Sequence, residues 1–166
     1  KNRRKGFTLV ELLVVVIILA ILASIVVGVV PAAAGRAKKS AFATTLSVLQ
    51  SASDRFYAES NAYPCATQPD ATKAYQLDMD ATDGLGAKFL GGYLQFAPNA
   101  NPTDLGLKVA DGDTVYYGVT ATGRVFATQT APAADGSWDK TTNGSMVVYT
   151  QDKVDGSLTF AGIMPQ

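Results

Sequence analysis

The chain has 166 residues, 17.4 kDa, 48% hydrophobic and only 17% charged side chains, room for one domain of ordinary size or a smaller one with an appendage, and too apolar for disorder. Its zero net charge joins unlike halves: residues 1–55 carry eight basic and two acidic side chains, the remainder six and twelve. With no histidine and one cysteine, Ser-His-Asp and Cys-His catalysis, the common zinc sites, ordinary haem ligation and an intrachain disulfide are excluded.

No Walker, HExxH or CxxC pattern is present, so the chain is read as a non-enzyme. Lys1, Arg3, Arg4 and Lys5 precede Gly6, and Phe7-Thr8-Leu9-Val10-Glu11 opens a long apolar run. Leu12–Val30 holds only Ser24 and Gly28 outside the strongly apolar residues and alanine. As a helix it measures roughly 28 Å, close to a bilayer's hydrocarbon thickness. The basic cluster predicts that the amino terminus stays inside and the chain beyond Pro31 is exported.

Three readings compete for this segment. A secretory signal peptide fits the basic start and Ala32-Ala33-Ala34, but the apolar run exceeds the usual 7–15 residues. A plain signal anchor fits the length. Neither accounts for Glu11, whose burial in an apolar helix costs on the order of 2–3 kcal/mol unless it is partnered.

The third reading is a resemblance. Gly6-Phe7-Thr8-Leu9-Val10-Glu11-Leu12-Leu13-Val14-Val15, continuing through Ala23-Ser24-Ile25-Val26-Val27, resembles the amino terminus of type IV pilins and the pseudopilins of type II secretion and competence systems. The resemblance implies cleavage between Gly6 and Phe7 by a membrane prepilin peptidase and methylation of the new Phe7 amine. It implies residence in the cytoplasmic (inner) membrane as a single-pass precursor, then assembly, helix to helix, into an extracellular filament or a periplasmic pseudopilus. Partners so implied are further copies of the chain, an assembly platform and minor pilins. Phe7 and Glu11 become the assembly residues, the amine of one subunit pairing with the carboxylate of the next; burying the two as a pair can set register. Gly28 and Pro31 mark the stretch where the family's helix can lose its structure in filaments.

From Gly35 to Ser60 the pattern predicts an amphipathic helix: Phe42, Leu46, Leu49, Ala52, Ser53 and Phe56 share one face. Packing of that stripe on a sheet is the simplest use for it, and conduction along Phe7, Phe42, Phe56 and Tyr57 explains nothing further. Tyr63-Pro64 ends the helix near Asn61, and Phe56–Pro64 is similar to the helix exit of many pseudopilins. Cys65–Pro102 reads as loop with one short strand at Tyr93–Phe96. Thr114–Thr120 and Arg124–Thr128 form a hairpin about Thr122-Gly123, and Ser145–Thr150 pairs with Ser157–Ala161 about Asp155-Gly156.

The expected fold is therefore α+β: a long amino-terminal helix, half transmembrane and half amphipathic, on a small antiparallel sheet, as the resemblance also implies. Its parts are a leader (1–6), an assembly helix (7–34), the helix of the head (35–62) and the loops and sheet of the head (63–166).

Twelve of the fourteen acids are aspartate, which raises calcium. Asp78, Asp80 and Asp83 resemble the start of an EF-hand loop, but Phe89 stands where the closing glutamate belongs. Asp-Gly pairs at 83–84, 111–112, 135–136 and 155–156 read more simply as turns; a calcium site outside the EF-hand pattern stays open at Asp78, Asp80 and Asp83, and no other cofactor is expected. Cys65 is open to burial, modification or an intermolecular bridge. Arg36, Lys38 and Lys39 suit lipid headgroups or packing, and the acidic head offers no stripe for strong nucleic-acid binding. A type IV pilin is the first expectation, a pseudopilin the alternative, and a membrane-anchored binding module the third.

Overall fold

The computed structural model describes residues 7–80, 82, 84–107 and 114–165; the side chains of residues 26–31 lie outside that description. Its contacts divide the chain into two compact units, Lys1–Ala37 and Lys38–Gln166. Helix α1, Leu9–Ser60, contributes to both.

In the first unit α1 is built from leucine, valine, isoleucine and alanine, and its large side chains from Phe7 to Ile25 are all exposed. Among the described residues no helix is long and apolar enough to cross a membrane. Helical backbone continues through Gly28 and Pro31. Their side chains lie outside the described residues, as does the whole leader, Gly6 included.

In the second unit α1 buries the predicted stripe: Phe42, Leu46, Leu49, Ala52, Ser53 and Phe56 are each at most 3% exposed. Three- and four-residue spacing puts these side chains on one face, and full burial of each large one stabilises by about 1.5–3 kcal/mol. The helix stops where Asn61 turns to φ +54°, a left-handed conformation that asparagine tolerates, and Asn61 N–H donates to Tyr57 O at 2.7 Å. Termination thus precedes Tyr63-Pro64 by its own mechanism.

Among the described residues six strands, not the four expected, form an antiparallel sheet: β1 Lys73–Gln76, β2 Tyr116–Val119, β3 Val125–Thr128, β4 Ser137–Asp139, β5 Val147–Thr150 and β6 Lys153–Thr159. Their order is β4-β1-β2-β3-β5-β6. One face carries Tyr75, Tyr117, Val119, Val125 and Ala127 against the α1 stripe. The other carries Ala74, Phe126, Trp138 and Val148 beneath Phe160, Ile163 and Met164. Both faces are therefore covered, the second by the short carboxy-terminal helix α4, Phe160–Ile163, once α2 (Gly84–Gly92) and α3 (Lys140–Asn143) are placed along the chain.

The β2–β3 hairpin closes at the expected place. Thr120 N–H donates to Arg124 O at 3.1 Å, Gly123 N–H donates to Thr120 O at 2.9 Å, and Gly123 sits at φ +80°. Gln50 of α1 fastens it: Nε2 donates to Gly123 O and Oε1 accepts from Val125 N–H, both at 2.8 Å.

Three sequence expectations are corrected. Asp155-Gly156 is not the tip of the last hairpin but an irregularity inside β6, opposite the register shift between Val148 and Thr150; Gly156 has φ +78°, and the reversal itself lies between Thr150 and Lys153. The strand expected through Ala161 ends at Thr159, where Phe160 turns into α4 to cover the second core. Tyr93–Phe96 is turn and irregular chain after α2, with Tyr93 and Leu94 N–H both donating to Phe89 O. The expected loop region instead contains β1 and α2.

Candidate assembly site

The start of α1 is organised by two side chains. Thr8 precedes the first helical residue and Glu11 is the third within it. Glu11 Oε2 accepts from Thr8 N–H at 2.9 Å and from Thr8 Oγ1 at 2.7 Å. In return Thr8 Oγ1 accepts from Glu11 N–H at 3.3 Å. This is a reciprocal capping box: it satisfies backbone donors that the first turn otherwise leaves unpaired, and it sets a negative charge at the positive end of the helix dipole.

Both bonds to the carboxylate fall on Oε2; among the described residues Oε1 accepts none. Glu11 can therefore hold its own helix start and still present one oxygen to a cation from elsewhere. Thr8-x-x-Glu11 ahead of an apolar run is a readable capping signal, and the amine-pairing reading makes no use of it. Phe7 lies beside this cap and is 79% exposed. Behind it, Leu9 to Ile25 presents large apolar side chains 46–81% exposed, all around the helix.

Two of the candidate aspartates, Asp78 and Asp80, are held in local turns. Asp78 Oδ1 accepts from Asp80 N–H at 3.1 Å, and Asp80 Oδ1 accepts from Thr82 N–H at 2.9 Å and Thr82 Oγ1 at 2.6 Å. The Thr82 bonds hold the Asp80 carboxyl below its ordinary range. Asp83 lies outside the described residues. Among the described residues, no three histidine, cysteine, aspartate or glutamate side chains converge as metal ligands.

A groove of about 540 Å³ runs past Asp78, Asp80, Tyr116 and Asp135. Asp135 is also engaged, accepting from Ser137 N–H and Oγ and pairing with Lys73 at 3.5 Å. Asp135-Gly136 is the turn expected of it, with Gly136 N–H donating to Ala133 O. Burial pushes the Cys65 thiol up to about 12, with the Asp78 charge adding to the shift, so it packs as a neutral apolar group. Lys38 Nζ donates to Thr103 O at 3.1 Å, a packing role for one member of the basic group.

Residues 1–27 match the family model for the prokaryotic N-terminal methylation motif. That match supports the type IV pilin and pseudopilin family, and with it a pilin-like or pseudopilin substrate of prepilin peptidase. Neither the curated proteins nor the solved structures yield a match to the chain.

Proposed function

We propose that this chain is the structural subunit of a type IV pilus, a non-catalytic protein that polymerises through its apolar amino-terminal helix once prepilin peptidase has cut between Gly6 and Phe7. The observation that carries this reading is the uncovered helix Leu9–Ile25, apolar on every side and opened by a capped carboxylate. Water is a poor surrounding for such a surface, at about 25 cal/mol per Å². Lipid covers it while the precursor sits in the cytoplasmic membrane, and neighbouring helices cover it in the extracellular filament.

Cleavage gives Phe7 a cationic amine, which the peptidase then methylates. Glu11 Oε1, the oxygen not engaged by Thr8, receives the amine of an adjacent subunit. An unpaired charge in that apolar interior is costly, so subunits settle in the register that pairs the two. The assembly platform and minor pilins are the further partners of this reading. Gly28 and Pro31 give the helix its place to yield during packing, because proline removes one backbone donor and glycine loses more backbone freedom than other residues when held in a helix.

A pseudopilin of a short periplasmic filament is the second reading. It is favoured by the lone, buried Cys65, which leaves the chain without the carboxy-terminal disulfide of many pilins. Electron microscopy of cells with and without the gene tests the choice. Long surface filaments containing this subunit are expected; their absence, with the processed chain held in the periplasm, would favour the pseudopilin.

A further inference from the structure

We propose that an Asp-Gly-Ser tripeptide guards each edge of the sheet, and that at β6 it is an inserted knuckle whose role is to stop strand pairing with a second copy of this chain. The inference stands apart from the filament reading, since it concerns the Lys38–Gln166 unit alone.

Among the described residues β4 and β6 are the outermost strands. An outer strand shows a row of unpaired N–H and C=O groups, a template on which another chain can add. At β4 those groups are taken. Ser137 lies opposite Tyr75 and Asp139 opposite Lys73, while Gln76 N–H donates to Gly136 O and Lys140 N–H to Thr72 O. In that pattern the backbone groups of Ser137 and Asp139 point away from β1. Ser137 N–H donates to Asp135 Oδ1 at 3.0 Å, Ser137 O accepts from Ala133 N–H at 2.8 Å, and Asp139 N–H donates to Asn143 Oδ1 at 3.0 Å.

At β6 the same tripeptide recurs. Ser157 N–H donates to Asp155 Oδ1 at 3.1 Å, and Gly156 has the φ of Gly136, +78°. The register shows what it adds. Val148 lies opposite Leu158 and Thr150 opposite Lys153, two steps along β5 against five along β6, so β6 carries three residues more than its partner. Without Asp155, Gly156 and Ser157, Val154 falls opposite Tyr149 and adjoins Leu158 opposite Val148. The two cores already hold these pairs: Val154 and Tyr149 pack on the α1 side, Leu158 and Val148 on the α4 side. Four apart, Val154 and Leu158 would share a face of a regular strand. They serve opposite cores because the three residues stand outside the ladder.

The hairpin's packing is thus complete without the tripeptide, and Asp155 and Ser157 are exposed. What the knuckle changes is the edge. It splits one continuous row into two short pieces, occupies an N–H with the chain's own carboxylate and sets a charge on the outer strand. The Ser157 hydroxyl and N–H hold the Asp155 carboxyl below its ordinary range, so that charge persists in mild acid. The strand excluded is β6 of a second copy, because one edge on two copies meets antiparallel and self-complementary.

The test deletes Asp155–Ser157 from the full-length chain in detergent. Amide hydrogen exchange of the β5–β6 hairpin is followed by mass spectrometry at rising protein concentration, with near-ultraviolet circular dichroism as the measure of native packing. Wild-type exchange should not depend on concentration. In the deletion variant exchange should slow at least about tenfold as concentration rises, with native packing kept, as a second copy's strand covers the edge. Concentration-independent exchange in that variant would overturn the proposal. Loss of its native packing would overturn it too, because the register makes the three residues dispensable to the fold. Concentration-dependent slowing in the wild type would show an unguarded edge and count equally against it.

Discussion

Replacing Phe42 by alanine tests the packing on which the whole second unit depends. Phe42 is fully buried on the α1 stripe and meets Tyr149 edge-on, with ring centroids 5.8 Å apart. Phenylalanine-to-alanine changes in cores cost about 3–5 kcal/mol, from lost transfer energy and the cavity left behind. A unit of Lys38–Gln166 has an unfolding entropy of roughly 0.27 kcal/mol/K, at about 2.1 cal/mol/K per residue. The melting temperature should therefore fall by roughly 11–19 °C. Thermal unfolding of the full chain in detergent, followed by near-ultraviolet circular dichroism, measures it. Ser47→Ala, on the exposed face of the same helix, is the control and should move the midpoint by less than about 2 °C. A drop below about 3 °C for Phe42→Ala would refute the packing of this stripe against the sheet.

Glu11→Val should leave membrane insertion intact and abolish filament assembly; normal filament yield would contradict the amine pairing. Gln50→Ala strands Gly123 O and Val125 N–H, a loss of about 1–3 kcal/mol readable in the same melting experiment. Burial, with the Asp78 charge adding to it, pushes the Cys65 thiol from its ordinary 9.0 up to about 12 in the folded chain, so the stability it contributes is full below pH 9 and falls as pH rises toward 12. The melting temperature should accordingly decline above pH 9 more steeply in the wild type than in Cys65→Ala, and equal slopes would refute it. Native Cys65 should also resist maleimide at pH 7 and react once the chain is denatured.

The elements legible in the sequence are those with a long period or a strong local signal. The stripe from Phe42 to Phe56 repeats over four turns, and every member is buried. Thr122-Gly123 specifies its hairpin because Gly123 must adopt φ +80°. What escaped reading is short or held by tertiary contacts. The β1 and β4 strands span only Lys73–Gln76 and Ser137–Asp139, too few residues for alternation to show, and Trp138 finds its pocket only once Phe126 and Phe160 are in place. Four of nine residues in α2 are glycine, a composition that disfavours helix, yet Phe89 packs on Phe56 and Tyr93 and anchors it. Asp155-Gly156 misleads because the same pair serves a bulge as well as a tip.

At the amino terminus the sequence carries both signals on Glu11. One is the spacing from Phe7, which points to an amine in another subunit. The other is the spacing from Thr8, which points to the helix's own cap, and the structure places that bond. The proposed amine pairing is compatible with the cap, because both Thr8 bonds fall on Oε2.

The mass of the amino-terminal peptide from membrane-held and filament-held protein tests the central claim most directly. A methylated peptide beginning at Phe7 is the expected result. A peptide beginning at Gly35, or one that still carries an intact Gly6–Phe7 bond in assembled protein, would contradict it.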